Sequence, residues 1–160
     1  MDISQLAIPE LLSLHGRIGD ELRVRGVTRS SNSPAGDLAE YLFCKTFDWD
    51  RKHNSAAHID AVGKDGCRYQ IKARRVTRFN KSTQLSALRN LADGHFDFLA
   101  GVLFGEDYSV TRAAIIPHSV VIARAAFVER TNSHRFLLHE SVWGEPGVRD
   151  VTGELRSTIL

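Results

Sequence analysis

The sequence predicts an α/β sandwich around a mixed β-sheet, and three stretches carry that expectation. Residues 57–75 alternate apolar and polar side chains on either side of Lys64-Asp65-Gly66, the period of a hairpin buried on one face. Phe96 to Phe104 is a near-continuous apolar run, as expected of a strand covered on both faces at a sheet's centre. Helical patterns flank both, opened by Ser33-Pro34 and by Pro117.

At 160 residues the chain is expected to be a single domain, large enough to bury a core unaided. Its parts are an N-terminal helical extension (1–30), a core (31–126) and a C-terminal strand with a short helix (127–160). Two cysteines, Cys44 and Cys67, fit no metal spacing and read as reduced thiols. No apolar run is long enough to span a membrane, and no signal-peptide pattern opens the chain. A cytoplasmic protein without a membrane partner is expected.

In order, residues 2–25 place Leu6, Leu11, Leu12, Leu14, Ile18 and Leu22 at roughly helical spacing. They predict one helix or a broken pair, with Pro9 in an early turn and Gly26 at the end. Such a stripe suits core packing or a dimer surface. After a polar loop, Ser33 caps a second helix with Pro34 at its first position. Leu38, Tyr41, Leu42 and Phe47 form its buried stripe; Asp37, Glu40 and Cys44 share another. Residues 48–56 are a polar connection in which His53 and Asn54 are expected to be exposed.

In the hairpin, a type I turn followed by left-handed glycine at Gly66 gives a three-residue loop. That loop sets Ile59 opposite Ile71 and Ala61 opposite Tyr69 on the core face. Asp60 then lies opposite Gln70, and His58 opposite Lys72, on the other. A loop one residue shorter or longer would separate Asp60 from Gln70. Beyond the hairpin, Ser82 caps a predicted helix carrying Leu85, Leu88 and Leu91, closed by Gly94. A turn at 105–108 joins the central strand to a strand over Val110–Ile116, and Pro117 opens a helix reaching Ala126. A strand at Arg135–His139, a loop at Gly144-Glu145-Pro146-Gly147 and a short helix at Thr152 complete the chain.

One face of the hairpin thus carries Asp60, Gln70 and Lys72 beside a hydrophobic layer. A carboxylate with an amide or carbonyl oxygen can hold a hard cation such as Mg²⁺. A lysine can orient a water or neutralise charge on a phosphate. The same three residues also suit an ordinary solvated face. The formal net charge is only +2, but Arg68, Lys72, Arg74, Arg75, Arg78 and Lys81 follow one another with no acid between them. A basic run leaving this strand favours a polyanion. No HExxH, CxxC, P-loop or dinucleotide motif is present.

Asp60, followed by Gln70-Ile71-Lys72 on the next strand, resembles the PD-(D/E)xK nuclease superfamily in its glutamine variant. The resemblance covers residues 30–125. It includes Glu40, in the helix where these nucleases commonly carry an extra acid. The run from Asn80 to Val121 is also similar to a group of small bacterial restriction-endonuclease-like proteins. The resemblance implies a restriction-endonuclease-like α/β/α sandwich and a Mg²⁺-dependent endonuclease acting on DNA, with Mn²⁺ able to substitute. In it Asp60, Glu40 and the Ile71 carbonyl bind the metal. Gln70 orients the water or serves as a neutral ligand, and Lys72 positions the attacking water and offsets developing charge. Arg74, Arg75, Arg78 and Lys81 hold the phosphate backbone, Gln84 lines the substrate side, and His58 lies at the periphery. The product carries a 5′-phosphate, and such nucleases often act as homodimers in restriction, other defence or repair.

Two departures stand out. Ile59 replaces the proline before Asp60, and Gln70 replaces an acid, removing one negative charge from the metal site unless Glu40 supplies it. A DNA- or RNA-binding module without catalysis is therefore the alternative. A protein-interaction subunit using the N-terminal stripe is a third.

Overall fold

A six-stranded mixed sheet organises the molecule, with helices on both faces. The computed structural model describes residues 2–30, 33–53 and 58–158. In chain order the strands are β1 (Asp50–Arg51), β2 (Ala61–Val62), β3 (Arg68–Arg75), β4 (Phe98–Phe104), β5 (Val110–Pro117) and β8 (Arg149–Asp150), which is also their order in the sheet. Only β3 and β4 run parallel; the other neighbours are antiparallel. A separate ribbon pairs β6 (Ala126–Val128) with β7 (Ser133–Arg135). The helices are α1 (Ile8–Val24), α2 (Pro34–Phe47), α3 (His118–Arg124) and α4 (Thr152–Ser157). No helix among the described residues is long and apolar enough to cross a membrane.

Each face of the sheet has its own apolar layer. On one, Leu38, Leu42 and Phe43 of α2 and Leu155 of α4 pack on Tyr69, Ile71, Ala100, Val102 and Ile115. On the other, Val120 and Val121 of α3 join Leu85, Leu88, Phe136 and Leu138 over Leu99, Ala114 and Ile116. Alternation along β3 therefore sends Tyr69, Ile71 and Ala73 toward α2, and Gln70, Lys72 and Arg74 the opposite way. Within α2, Ala39 and Phe43 are fully buried, while Tyr41 and Phe47 sit half-buried at its margin. Asp37 reaches back from the first turn and accepts the Arg29 and Ser30 amides at 2.8 and 2.9 Å, while Ser33 precedes the helix without the side-chain capping bond expected of it.

The hairpin turn follows the sequence. Gly66 has φ +83°, the Gly66 amide donates to Gly63 and the Gly63 amide to Cys67, and Ala61 pairs with Tyr69. Its first strand is shorter than expected. His58 has φ +74°, which no strand accommodates, and the Asp60 amide bonds to the Tyr69 carbonyl. The Ile59–Ile71 and His58–Lys72 pairs are consequently not formed, and Ala57 lies outside the described residues.

The helix expected after Ser82 is a second correction. Residues 82–90 run as irregular, extended chain, followed by a single 3-10 turn at Leu91–Asp93. Their amides find partners elsewhere: Leu85 donates to the Phe136 carbonyl at 3.0 Å, and Leu88 and His134 exchange both bonds. Leu85, Leu88 and Leu91 are still buried, so the spacing marked a covered segment whose hydrogen bonds are non-local. The same pairing limits the expected Arg135–His139 strand, where β7 ends at Arg135 and residues beyond it bridge to the crossover. Helix α1 has no buried residue, and Ile8 and Leu12 are 75% and 67% exposed. Its stripe is therefore surface, not core.

Candidate functional site at the β2–β3 junction

Asp60 sits where β2 stops pairing with β3. Its Oδ2 accepts the Ile71 amide at 2.7 Å, so the side chain takes a bond that a longer strand would have supplied from its backbone. This fixes the carboxylate beside the Gln70–Ile71 peptide and leaves Oδ1 without a partner among the described residues. Gln70 is 5% exposed, and its Oε1 is buried with no hydrogen-bond partner among the described residues. An orphaned buried amide oxygen is costly and rare, and such atoms concentrate at functional sites. Lys72, two residues on along the same face, is half-buried and has no counter-ion among the described residues.

Glu40 approaches Asp60 from α2, on the face of the sheet away from Gln70 and Lys72. Asp60 acts on it electrostatically and, with burial as the larger cause, pushes its carboxyl above the ordinary range, against the pull of Arg51 and Arg29. Its Oε2 accepts from both guanidiniums, with Arg51 Nε at 3.1 Å. Arg29 also donates to the Lys52 carbonyl, and Arg51 to the Asp37 carbonyl, which ties both cations to the backbone. Burial in this cluster pushes the Cys44 thiol up to about 11, so it is an inert thiol. Asp37 behaves in the opposite way. Burial opposes its ionisation, but the amides of Arg29 and Ser30, the Ser30 hydroxyl and Arg51 hold its carboxyl below the usual range.

The two arginines had no signature in the sequence. Arg29 lies in the chain before α2 and Arg51 in β1 after it, eleven residues from Glu40 in each direction. Only the fold joins them.

The basic run divides between structure and surface. Arg68 is committed to Asp97, through its own amide and its guanidinium, and fixes the start of β4 against β3. Arg75 donates to the Glu106 carbonyl and lies 4.4 Å over the Tyr108 ring. The Arg78 amide donates to Glu106, and its guanidinium covers the exposed Phe79 ring at 4.8 Å. Arg74 and Lys81 have no ion pair among the described residues, and Arg74 stands about 7 Å from Lys72 on the same face. Gln84 is half-buried in the crossover, where it bridges to Leu137.

His58 is held at the edge of this region, away from the ladder position expected of it. Its ring stacks on His95 with centroids 4.9 Å apart, and its Nε2 lies 3.1 Å from Asn90 Nδ2. His53 is exposed, and Asn54 lies outside the described residues.

The donor set is hard oxygen, the Asp60 and Glu40 carboxylates with the Gln70 amide on the other face of β3. It fits an ion that takes few protein ligands and keeps its waters, as Mg²⁺ does. It does not fit a closed cage, since no three His, Cys, Asp or Glu side chains converge among the described residues. No protein-family model matches this chain and no curated protein matches it, so its chemistry is read from its own geometry.

Proposed function

We propose that this protein is a Mg²⁺-dependent endonuclease that hydrolyses DNA phosphodiester bonds, built on a restriction-endonuclease-like fold. The observation that carries the reading is the junction itself. An anchored carboxylate lies beside the Gln70–Ile71 peptide where β2 and β3 part, and an amide oxygen and a lysine without partners among the described residues share one face of β3. The order of α2, the antiparallel run β1–β2–β3 and a parallel β4 supports the same family of folds. Asp60, Gln70, the Ile71 carbonyl and Glu40 would hold the ion, with Mn²⁺ as a substitute. Bound there, the ion would act as a Lewis acid on a phosphodiester oxygen.

The chain's own groups have the remaining roles. Lys72 positions the water and offsets the negative charge that grows on the phosphoryl oxygens. The water oxygen bonds to phosphorus as the bond to O3′ breaks; the water's proton passes to solvent, and the departing O3′ takes a proton from solvent. The products are a 5′-phosphate and a 3′-hydroxyl. Arg74, Arg75, Arg78 and Lys81 grip the backbone without reading bases, and Gln84 contacts the strand. We assign the protein to the cytoplasm, acting as a homodimer on duplex DNA in defence or repair. Supercoiled plasmid incubated with Mg²⁺ or Mn²⁺ should be nicked and linearised. EDTA or Asp60→Ala should abolish this.

One observation favours a second reading, a DNA- or RNA-binding module without catalysis. Glu40 is already neutralised by Arg29 and Arg51. Under that reading the plasmid stays intact with every metal, while salt-sensitive binding through Arg74 and Lys81 persists.

A further inference from the structure

On the opposite face of the sheet, beyond the α2 C-terminus, lies a cavity of about 550 Å³. It falls in the size range of sites for small ligands. Its walls are unusually aromatic. Trp49 stacks on Tyr69 with centroids 3.7 Å apart and planes 15° apart, and Phe98 continues the series at 5.7 Å and 23°. Phe47 closes the other end against Trp49 at 5.2 Å. These rings, together with Lys64 and Arg149, line the cavity.

The polar inventory is one-sided. Trp49 Nε1 and Tyr69 Oη have no hydrogen-bond partner among the described residues, and both reach the accessible surface. Burial pushes the Tyr69 hydroxyl up to about 12, so it remains a donor at physiological pH. Arg149 lies 5.1 Å over the Phe47 ring, and its exposed pairing with Glu154 is 3.3 Å long. Lys64 pairs with Asp48 at the surface, both side chains more than three-quarters exposed. Such pairs contribute little and are readily exchanged. The one carboxylate lining the cavity, Asp65, is engaged by the Cys67 amide at 3.0 Å. A site rich in donors and cations, poor in acceptors and walled by rings is complementary to a planar ring that bears acceptors and a negative charge.

We propose that this cavity binds a nucleotide, with the base against the aromatic wall and the phosphate between Lys64 and Arg149. The ring atoms of a base accept from Trp49 and Tyr69, and stacking on aromatic side chains serves any base. A free mononucleotide and an unpaired base in a strand present the same chemistry. The cavity lies across the sheet from Gln70 and Lys72, so its occupancy does not depend on the proposed cleavage.

The chain has two tryptophans, so Trp143→Phe leaves Trp49 as the sole indole reporter. Its fluorescence would be titrated with deoxynucleoside monophosphates, the matching nucleosides, inorganic phosphate and a short oligo-dT. Saturable quenching by the monophosphates, stronger than by nucleosides and absent with phosphate alone, is expected. The exposed double substitution Lys64→Gln/Arg149→Gln, with an unchanged circular dichroism spectrum, should weaken the monophosphates about tenfold and the nucleosides hardly at all. Quenching by oligo-dT alone would identify the ligand as an unpaired base within a strand. Lys72→Ala should leave the monophosphate and nucleoside curves unchanged. No saturable response to any nucleotide, equal responses in the double variant, or a response only to an aromatic peptide would overturn the proposal.

Discussion

Along β3, Tyr69, Ile71 and Ala73 meet α2, whereas Gln70, Lys72 and Arg74 face the other way, and the two sets obey different rules. On the α2 side the buried layer is apolar with Phe43 at its centre, and the buried Thr152 hydroxyl is hydrogen-bonded to the Ala113 backbone. On the other side an amide oxygen is buried with no partner and a lysine stands without a counter-ion among the described residues. Both sets sit on one rigid strand, so the second is not a product of loose packing. Residues that break the rules of a well-packed fold on an otherwise consistent strand are best explained by what they bind.

The contrast can be broken most strongly on the closed side. Phe43 is fully buried between the sheet and the ring of Trp49, and Phe43→Ala should cost about 3–5 kcal/mol. Urea denaturation of the two proteins measures this; a loss below about 1 kcal/mol would mean that α2 does not close the layer.

A smaller effect of the opposite kind is expected across the strand. Gln70→Leu replaces an orphaned amide with an apolar group of similar size, so stability should be unchanged or raised by up to about 1 kcal/mol. If the same denaturation shows a clear loss, Gln70 serves the fold and not the site.

The smallest effect concerns Glu40, which joins the two regions. Its carboxyl keeps its proton to higher pH in the folded chain than in the unfolded one, because burial and then Asp60 oppose its charge more than Arg51 and Arg29 favour it. As pH rises from the ordinary value of 4.5 through the folded value, the folded state holds the extra proton, and stability contributed by Glu40 is lost. Below 4.5 both states are protonated and nothing is lost. Glu40→Gln has no such proton to release. The wild type should therefore lose stability relative to the variant across that window, and parallel pH profiles would show that the arginines offset the burial fully.

How much of this could be read from the residues depended on how local the cause was. The turn at Gly66, the ladder from Ala61 to Tyr69, the start of α2 at Pro34 and the central strand are local patterns, and they appear as expected. The crossover was misread because spacing by three among Leu85, Leu88 and Leu91 describes burial, while the partners for its amides lie at 134–138. Asp60 was placed beside Gln70 by a two-residue period. The structure instead anchors Asp60 to the Ile71 amide, after the left-handed turn at His58 ends the strand. The arginine clamp on Glu40 joins a loop, the strand β1 and a helix, and nothing in the local pattern announces it.

The central claim is that the Gln70–Lys72 face performs chemistry. It is tested most directly by single-turnover cleavage of duplex DNA by wild type and Lys72→Ala, with DNA affinity measured alongside. The account predicts a rate loss of about 100-fold or more in Lys72→Ala, with affinity changed only a few-fold. Equal cleavage rates in the two proteins would contradict it.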